Sequence, residues 1–518
     1  MFRSASELPV TRYLFVSTWA FSLFALFFKL GRPYLVDWDE AWYAIMAKNA
    51  LYSHKYLTLE FRGHIFWDKS PFPLYPMIGL FKLFGVNELT ARLSSALFGF
   101  GIFVQIYFIA KRFYGKAVAL LSVVIMTTST QIIFYHGLST ANIDGITLFF
   151  MIGVLSCWLL INRSDYKIIF TMISLGFTFL CKGPIIAIPF TVILLSFVVD
   201  RSLLSWRYII AFFLGLAAML FIAAPWYLYM LNLFGDEFVR NHILHNFVQR
   251  YTAGIEGHHY GSMFFLKTLS SPKNYLWFGT AIASLLYFLH KFIKERKSED
   301  FIFIMWFVVA FIIVNYSQTK LAWYILPVYP PLSIMISRAL GDFFENRSHG
   351  NAAVFFAGVC MSSYFIARKL IPHDITEQLA IALAFVIMFS VTLCLLRRYR
   401  PALTRCYYIF LLIIILSFPM YQTIREVNSR KTDMPPIMSF VESLNRDKPY
   451  FAYNLEPSSS FYLSQKTNIK EYYKLSDLLD KSGALVLISA SSLNTLRSQD
   501  IQFSVIRSSE GICLISLT

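Results

Sequence analysis

The sequence predicts an all-α polytopic membrane protein of about thirteen transmembrane helices, followed by a small extracytoplasmic α/β domain. Three observations predict it. Apolar residues make up 57% of the 518 and charged residues only 15%, with a mean hydropathy of +0.56, whereas soluble domains carry about a quarter charged residues. Apolar runs of roughly 15–22 residues, the length a bilayer core demands, recur from residue 13 to residue 422. From residue 423 the composition changes, and serine, asparagine and charged residues rise.

The runs fall near 13–30, 89–110, 117–133, 143–161, 167–181, 184–199, 207–230, 274–290, 301–315, 322–337, 352–368, 377–396 and 404–422. The first follows MFRSASELPVTR and is too long and too Phe-rich for a signal peptide, so it reads as an uncleaved helix. Lys and Arg exceed Asp and Glu by 46 − 30 = 16. That surplus sits in alternate loops: KRFYGK (111–116), NRSDYK (162–167), DRSLLSWR (200–207), KFIKERK (291–297) and RRYRPALTR (397–405). The alternation is the positive-inside pattern and not a nucleic-acid surface. It places the N-terminus in the cytoplasm and, with an odd number of helices, the C-terminus outside. The six cysteines form no CxxC, and Cys157, Cys360 and Cys394 lie inside apolar runs, so they read as buried thiols.

Residues 1–422 therefore read as a transmembrane domain with long outer loops at 31–88 and 231–273, and 423–518 as a separate soluble domain. In the first loop, Trp38, Trp42, Ile45 and Met46 have helical spacing, which predicts an amphipathic helix at the membrane surface with Trp anchors. FWDKSPFPLYPMIGLFKLFG, also in this loop, is Pro-broken and then apolar, and is expected to dip into the interface without spanning. In the tail, PYFAYN, ALVLISA and GICLISL predict strands, and SLNTLRSQ a helix.

The polar features of the expected outer face are the candidates for chemistry. Asp39 and Glu40 suit a helix N-cap or a general base. Lys69, beside Asp68, is either half of a surface pair or a phosphate ligand. Lys182 and Lys320 at helix ends either snorkel to the interface or make an anion site. His242 and His245 are three apart on an expected helix, with His258, His259 and Glu256 further on. Histidines so placed either cap and hydrogen-bond or contribute to a metal site. Asp144 follows the loop 134–142.

In this order the motifs resemble the membrane-embedded glycosyltransferases of the C fold that use polyprenyl-phosphate sugars, in particular the lipid A aminoarabinose transferases and the protein-mannosyltransferase-like group. DEAWYA (39–44) resembles the first-loop DE motif, WDKSP (67–71) an (F/W)EKP motif and LSTANID (138–144) an outer loop ending in Asp. CKGP (181–184), APWY (224–227), NHILHNF (241–247) and TKLAWYILPVYPPLSI (319–334) match further motifs, and together these cover most of 10–340.

The resemblance implies a sugar donor on a polyprenyl phosphate, undecaprenyl phosphate in a bacterial host, and a lipid or protein acceptor at the inner membrane. It implies a monomer among membrane lipids, with neither nucleic acid nor a nucleotide cofactor. Asp39 and Glu40 would be the catalytic pair, and Lys69, Lys182 and Lys320 would hold the donor phosphate. Trp42, Tyr43, Asp144 and Tyr324 would line the cavity, and Asp68 with His242 would hold one divalent metal, zinc first. Two departures stand out. An Arg that follows the DE pair in the aminoarabinose transferases is Trp42 here, and the metal Glu is Asp68.

Overall fold

The structure is a computed structural model that describes residues 9–344 and 416–518, apart from short breaks, chiefly at 200–205, 431–435 and 445–448. The expected runs 352–368 and 377–396, and most of 404–422, lie outside the described residues. Each of the ten earlier runs coincides with helix, from Pro9–Phe27 to Tyr329–Phe344. Among the described residues four helical stretches are long and apolar enough to cross a membrane: Glu88–Tyr114, Asp165–Phe197, Trp206–Phe234 and Ser298–Tyr316. Arg12–Phe27, Lys116–Thr128 and Asp144–Leu160 are apolar but shorter. Apolar length alone marks a helix well, but a break at Ser129 divides the run 117–133, whereas the separate runs 167–181 and 184–199 lie in one helical stretch with a 3₁₀ turn at Gly183–Ile186.

The chain forms two compact units. The first holds Met1–Phe28, Ala96–Ser139 and Asp144–Ser429. Its core is a continuous apolar cluster from Leu26 through Phe103, Met126, Leu155, Phe288 and Trp306 to Leu340. A buried ion network sits where several of its helices end. The Tyr114 hydroxyl donates to Asp300 at 2.7 Å, and the Tyr287 hydroxyl to Asp342 at 2.5 Å. Lys291 lies 3.3 Å from Asp342 and 4.0 Å from Asp300, and Arg338 lies 2.8 Å from Asp342.

The second unit holds Lys29–Ser95, Thr140–Ile143 and Arg430–Thr518. The expected division at residue 422 therefore differs from the observed one, because the first outer loop is compact with the tail. Strand alternation gives the reason. The tail sheet contains β3 (Tyr450–Tyr453), β4 (Lys470–Tyr472), β5 (Leu485–Ser489), β6 (Phe503–Ser509) and β7 (Ile512–Leu517), in the order β4-β3-β5-β7-β6. β3 runs parallel to β4 and β5, and β7 antiparallel to β5 and β6. Side chains on one face of the sheet, including Val486, Ile488 and Ile515, share a core with Leu493 and Leu496 of the helix Ala490–Ser498. The opposite face, with Ala452, Leu487 and Leu514, shares a core with Ala44 and Met46 of the helix Asp39–Ser53 and with Leu74, Met77 and Phe81. A sheet apolar on both faces must be covered on both, and the first loop covers the second face.

Within that loop, Asp39–Ser53 is the expected helix, but nine of its fifteen residues are buried, including Lys48. It is a packed helix, not one floating on its apolar side. The Pro-broken piece forms a 3₁₀ turn, Phe72–Leu74, and the ten-residue helix Tyr75–Phe84. At 1.5 Å per residue that helix is about 15 Å long, too short to span. A short hairpin, β1 (Glu60–Phe61) and β2 (His64–Ile65), lies between them.

Candidate functional site

The two units each carry part of the predicted residue set. In the second unit, Asp39 and Glu40 open their helix together and have different surroundings. Glu40 is buried, and Arg92 grips it twice, Nε to Oε1 at 2.9 Å and Nη2 to Oε2 at 2.7 Å. The Ala141 amide donates to Oε1 at 2.8 Å and the Val36 amide to Oε2 at 3.1 Å. Burial pushes the Glu40 carboxyl up, but the Arg92 charge and the donors outweigh it and hold the group below its ordinary range. Arg92 also donates to the carbonyls of Leu30, Pro33 and Tyr34, so the chain entering the helix is clamped. Glu40, expected as half of a catalytic pair, is thus a structural anchor, because four donors occupy its two oxygens. Asp39 is half-buried in the same first turn.

Trp42 packs edge-on against Phe61 and Phe66, with centroids 5.5 and 5.2 Å apart, and lies beside Tyr43, which is buried. The position that carries Arg in the resembling enzymes is here part of an aromatic cluster closed by the β1–β2 hairpin. The Lys69 ammonium donates to the Asp68 carbonyl at 3.0 Å, a local contact with a neutral acceptor.

In the first unit a second group converges. Lys182 ends the helix Ser164–Lys182, and its ammonium meets the Asp144 carboxylate at 2.7 Å. The same ammonium lies 4.6 Å from the centre of the Tyr324 ring, whose hydroxyl accepts from Arg250 at 3.3 Å. Arg250 is steadied by the Asn246 side chain at 3.1 Å. The turn that presents Lys182 depends on Gly183, whose φ of +33° suits glycine and whose missing Cβ leaves room for the Phe247 ring. The predicted residues Asp144, Lys182 and Tyr324 are thus brought together. Lys320 is not part of this group: its ammonium is turned onto the Ser317 carbonyl, and its amide donates to the His258 carbonyl at 2.9 Å. Lys320 secures the turn between two helices, and burial lowers its pKa.

Sequence reasoning missed Arg250 and His136. Arg250 lies in the loop singled out for its histidines, where a cation next to an aromatic was the available signal. His136 stacks on Trp323 with centroids 3.5 Å apart, beside Tyr324, at a positive φ of 52°. No local pattern marks it.

His242, expected to hold a metal with Asp68, is buried. His242 lies on a π-helix, Val239–Gln249, whose wide turn changes which residues share a face. Its ring stacks on Phe238 at 4.9 Å and meets Trp226, Tyr227 and Phe247 edge-on or tilted. Among the described residues no three His, Cys, Asp or Glu side chains gather. Glu256 and His259 lie outside the described residues.

Comparison with known proteins agrees with this geometry. Residues 68–229 match the family described as dolichyl-phosphate-mannose-protein mannosyltransferase. An uncharacterized protein of Aquifex aeolicus (strain VF5) is 28% identical over 63% of this chain and 63% of its own length. The undecaprenyl phosphate-alpha-4-amino-4-deoxy-L-arabinose arabinosyl transferase of Wigglesworthia glossinidia brevipalpis is 26% identical over 58% of this chain and 54% of its own. The chain thus spans less than two-thirds of the length of these relatives. The crystal structure of ArnT from Cupriavidus metallidurans bound to undecaprenyl phosphate superposes with a TM-score of 0.67 over 97% of both chains, at 19% identity. Its apo state gives 0.69 over 98% of both. The chain therefore has the glycosyltransferase C fold and is related in sequence to the aminoarabinose transferases.

Proposed function

We propose that this protein is an inverting glycosyltransferase of the bacterial inner membrane. It moves a sugar from undecaprenyl phosphate to lipid A or another envelope glycolipid. The observation that carries the proposal is the division of labour at Asp39-Glu40. Arg92 and two amides consume Glu40, and the same clamp fixes the turn from which Asp39 is presented.

The acceptor oxygen attacks the anomeric carbon on the face opposite the bond to phosphate. That bond breaks with its electron pair on the phosphate oxygen, so negative charge develops on the leaving lipid phosphate. Lys69, Lys182 and Arg250 are the cations assigned to that charge, which fixed positive groups in a water-poor setting stabilise most effectively. With a hydroxyl acceptor, Asp39 takes its proton. With a lipid A phosphate, already ionised, Asp39 orients it. The proposal includes the orientation read from the loop charges, N-terminus cytoplasmic and C-terminus periplasmic, and a monomer as the working form. No step is assigned to a metal.

The match to the protein-mannosyltransferase family over 68–229 favours a second reading, transfer to protein hydroxyls. A third reading, translocation of a lipid-linked intermediate without transfer, lacks the internal repeat common in transporters. Purified protein in nanodiscs, given undecaprenyl-phosphate aminoarabinose and lipid A, should yield modified lipid A by mass spectrometry. Asp39→Asn should reduce the rate by at least ~100-fold, the range of a general base. Full activity in that variant would remove Asp39 from its role. Lipid A unchanged while envelope proteins gain sugar would establish the second reading.

A further inference from the structure

The tail helix Pro457–Lys466 touches the Asp39 helix and its approach at several places, all from neighbouring turns. The Asp37 carboxylate accepts both the amide and the hydroxyl of Ser458, each at 2.6 Å. The Leu35 amide donates to the Tyr462 hydroxyl at 2.7 Å. Lys48, nine residues and about 14 Å beyond Asp39 along the helix, donates to Ser464 at 2.8 Å and lies 5.9 Å from the Phe461 ring. Gln465 reaches the Val86 carbonyl. Ser458, Phe461, Tyr462, Ser464 and Gln465 lie within about two turns of one short helix, which delivers every contact.

These contacts bracket Asp39. Asp37 and Leu35 fix the chain just before it, and Lys48 fixes the far end of its helix. The Asp37 carboxylate, moreover, sits at the N-terminus of the tail helix, where amides and the helix dipole favour a negative charge. Lys48 is 7% exposed and is held by a neutral hydroxyl. A lysine is seldom buried beside a hydroxyl alone, and its removal from water is a cost that a merely solvated surface face would not carry.

We propose that the tail domain is a positioning element for catalysis: the Asp37–Ser458 and Lys48–Ser464 contacts set the pose of the helix that presents Asp39. This rests on the reading of Asp39 as the reacting carboxylate. A displacement of about 1 Å at a reacting group can cost on the order of 100-fold in rate, so the contacts act on turnover and not on donor affinity. Asp37 and Ser458 are positioning residues that touch no substrate in this scheme.

The test uses the full chain in nanodiscs with undecaprenyl-phosphate aminoarabinose. Asp37→Asn and Ser458→Ala should each lower kcat by roughly tenfold with donor KM within twofold. The double variant should be no slower than the worse single one, since both remove one contact. Ser458→Thr keeps the amide and the hydroxyl and should restore most of kcat. Unchanged kcat in both single variants, or loss of kcat with no rescue by threonine, overturns the proposal. Hydrogen exchange supplies a readout that does not need activity: residues 39–48 should exchange faster in Ser458→Ala, and unchanged protection there also overturns it. Failure of the underlying reading looks different, because Asp39→Asn would then stay active while the exchange response to Ser458→Ala persists.

Discussion

The membrane unit carries two ionic clusters that are similar in size and differ in kind. The helix Ser298–Tyr316 begins with Asp300 in one and leads, through Ser317, to the backbone of Arg250 in the other. At 1.5 Å per residue its 19 residues separate them by about 28 Å. At the first end Lys291 and Arg338 face Asp300 and Asp342, two charges of each sign, capped by two tyrosine hydroxyls. At the second, Lys182 and Arg250 bring two positive charges, Asp144 brings one negative, and the tyrosine between the cations is Tyr324. A balanced buried network is complete in itself and ties helix ends together. In the proposed scheme the second cluster meets an anion that comes from outside the chain. The loop bearing KFIKERK lies next to the balanced end, and Asp144, Lys182 and Tyr324 of the resembling motifs lie at the other.

Removing a cation from the second cluster should give the largest effect. Lys182→Met should lower kcat/KM for the lipid-linked donor by about 1,000-fold, a loss of about 4 kcal/mol in transition-state stabilisation. Steady-state kinetics with thermal unfolding in parallel would check it. A variant within tenfold of the parent would mean that the cluster does not hold the leaving phosphate.

Breaking the balanced cluster should act on stability instead. Asp342→Leu removes the nearest carboxylate from Lys291 and Arg338 and leaves Lys291 only its longer contact with Asp300, and loss of one partner of a buried pair costs about 3–5 kcal/mol. Unfolding in a detergent series should show that loss, with activity per folded molecule within twofold. The pair Lys291→Met with Asp342→Leu should regain most of it. Activity falling in step with stability in the single variant would end the contrast drawn between the two ends.

Lys48 offers a third case, a buried cation whose hydrogen-bond partner is a hydroxyl. Burial pushes it down to about 8 from an unfolded value of 10.5. Between those pH values the unfolded chain binds the proton that the folded chain has released, so stability rises with pH. The full rise is on the order of 3 kcal/mol. Denaturation curves from pH 7 to 10 should show it, and Lys48→Met should flatten it. A parent whose stability is already flat across that range would show that Lys48 is solvated.

The smallest effect is expected at the turn behind Lys182. Gly183→Ala demands a left-handed φ from an L residue and drives a methyl into the Phe247 ring, strain of about 1–3 kcal/mol. Donor KM should rise by roughly tenfold, and unfolding should shift by no more than that strain. An unaffected KM would show that the turn does not set the pose of Lys182.

Much of the fold is legible in the sequence, for reasons that differ by region. A residue in a membrane helix obeys one local requirement, apolarity over a given length, so each of the first ten runs is plain in the linear order of residues. Strands such as Leu485–Ser489 and Ile512–Leu517 are equally plain, because burial on both faces makes them continuous apolar runs. β6 is not, since its residues from Ser504 to Ser509 are exposed and nothing in their order demands a strand. The motif around Asp39 and Glu40 draws attention as a place of chemistry. That Glu40 is held is decided by Arg92 and Ala141, 52 and 101 residues away. Arg250 is invisible as a ligand because its partner Tyr324 is 74 residues distant.

The sequence by itself determined where the apolar helices run, long enough in places to cross a membrane, and which acidic and basic motifs are the candidates for chemistry. Those follow from the transfer of apolar side chains out of water and from charges that cannot be buried without a reason, both local properties. Only the tertiary structure decided that the tail and the first loop make one unit, that Glu40 is an anchor, that Lys320 belongs to a turn, and that His242 sits in an aromatic cage. Each of those depends on a partner far along the chain, and a charge or an imidazole takes its role from what surrounds it in space.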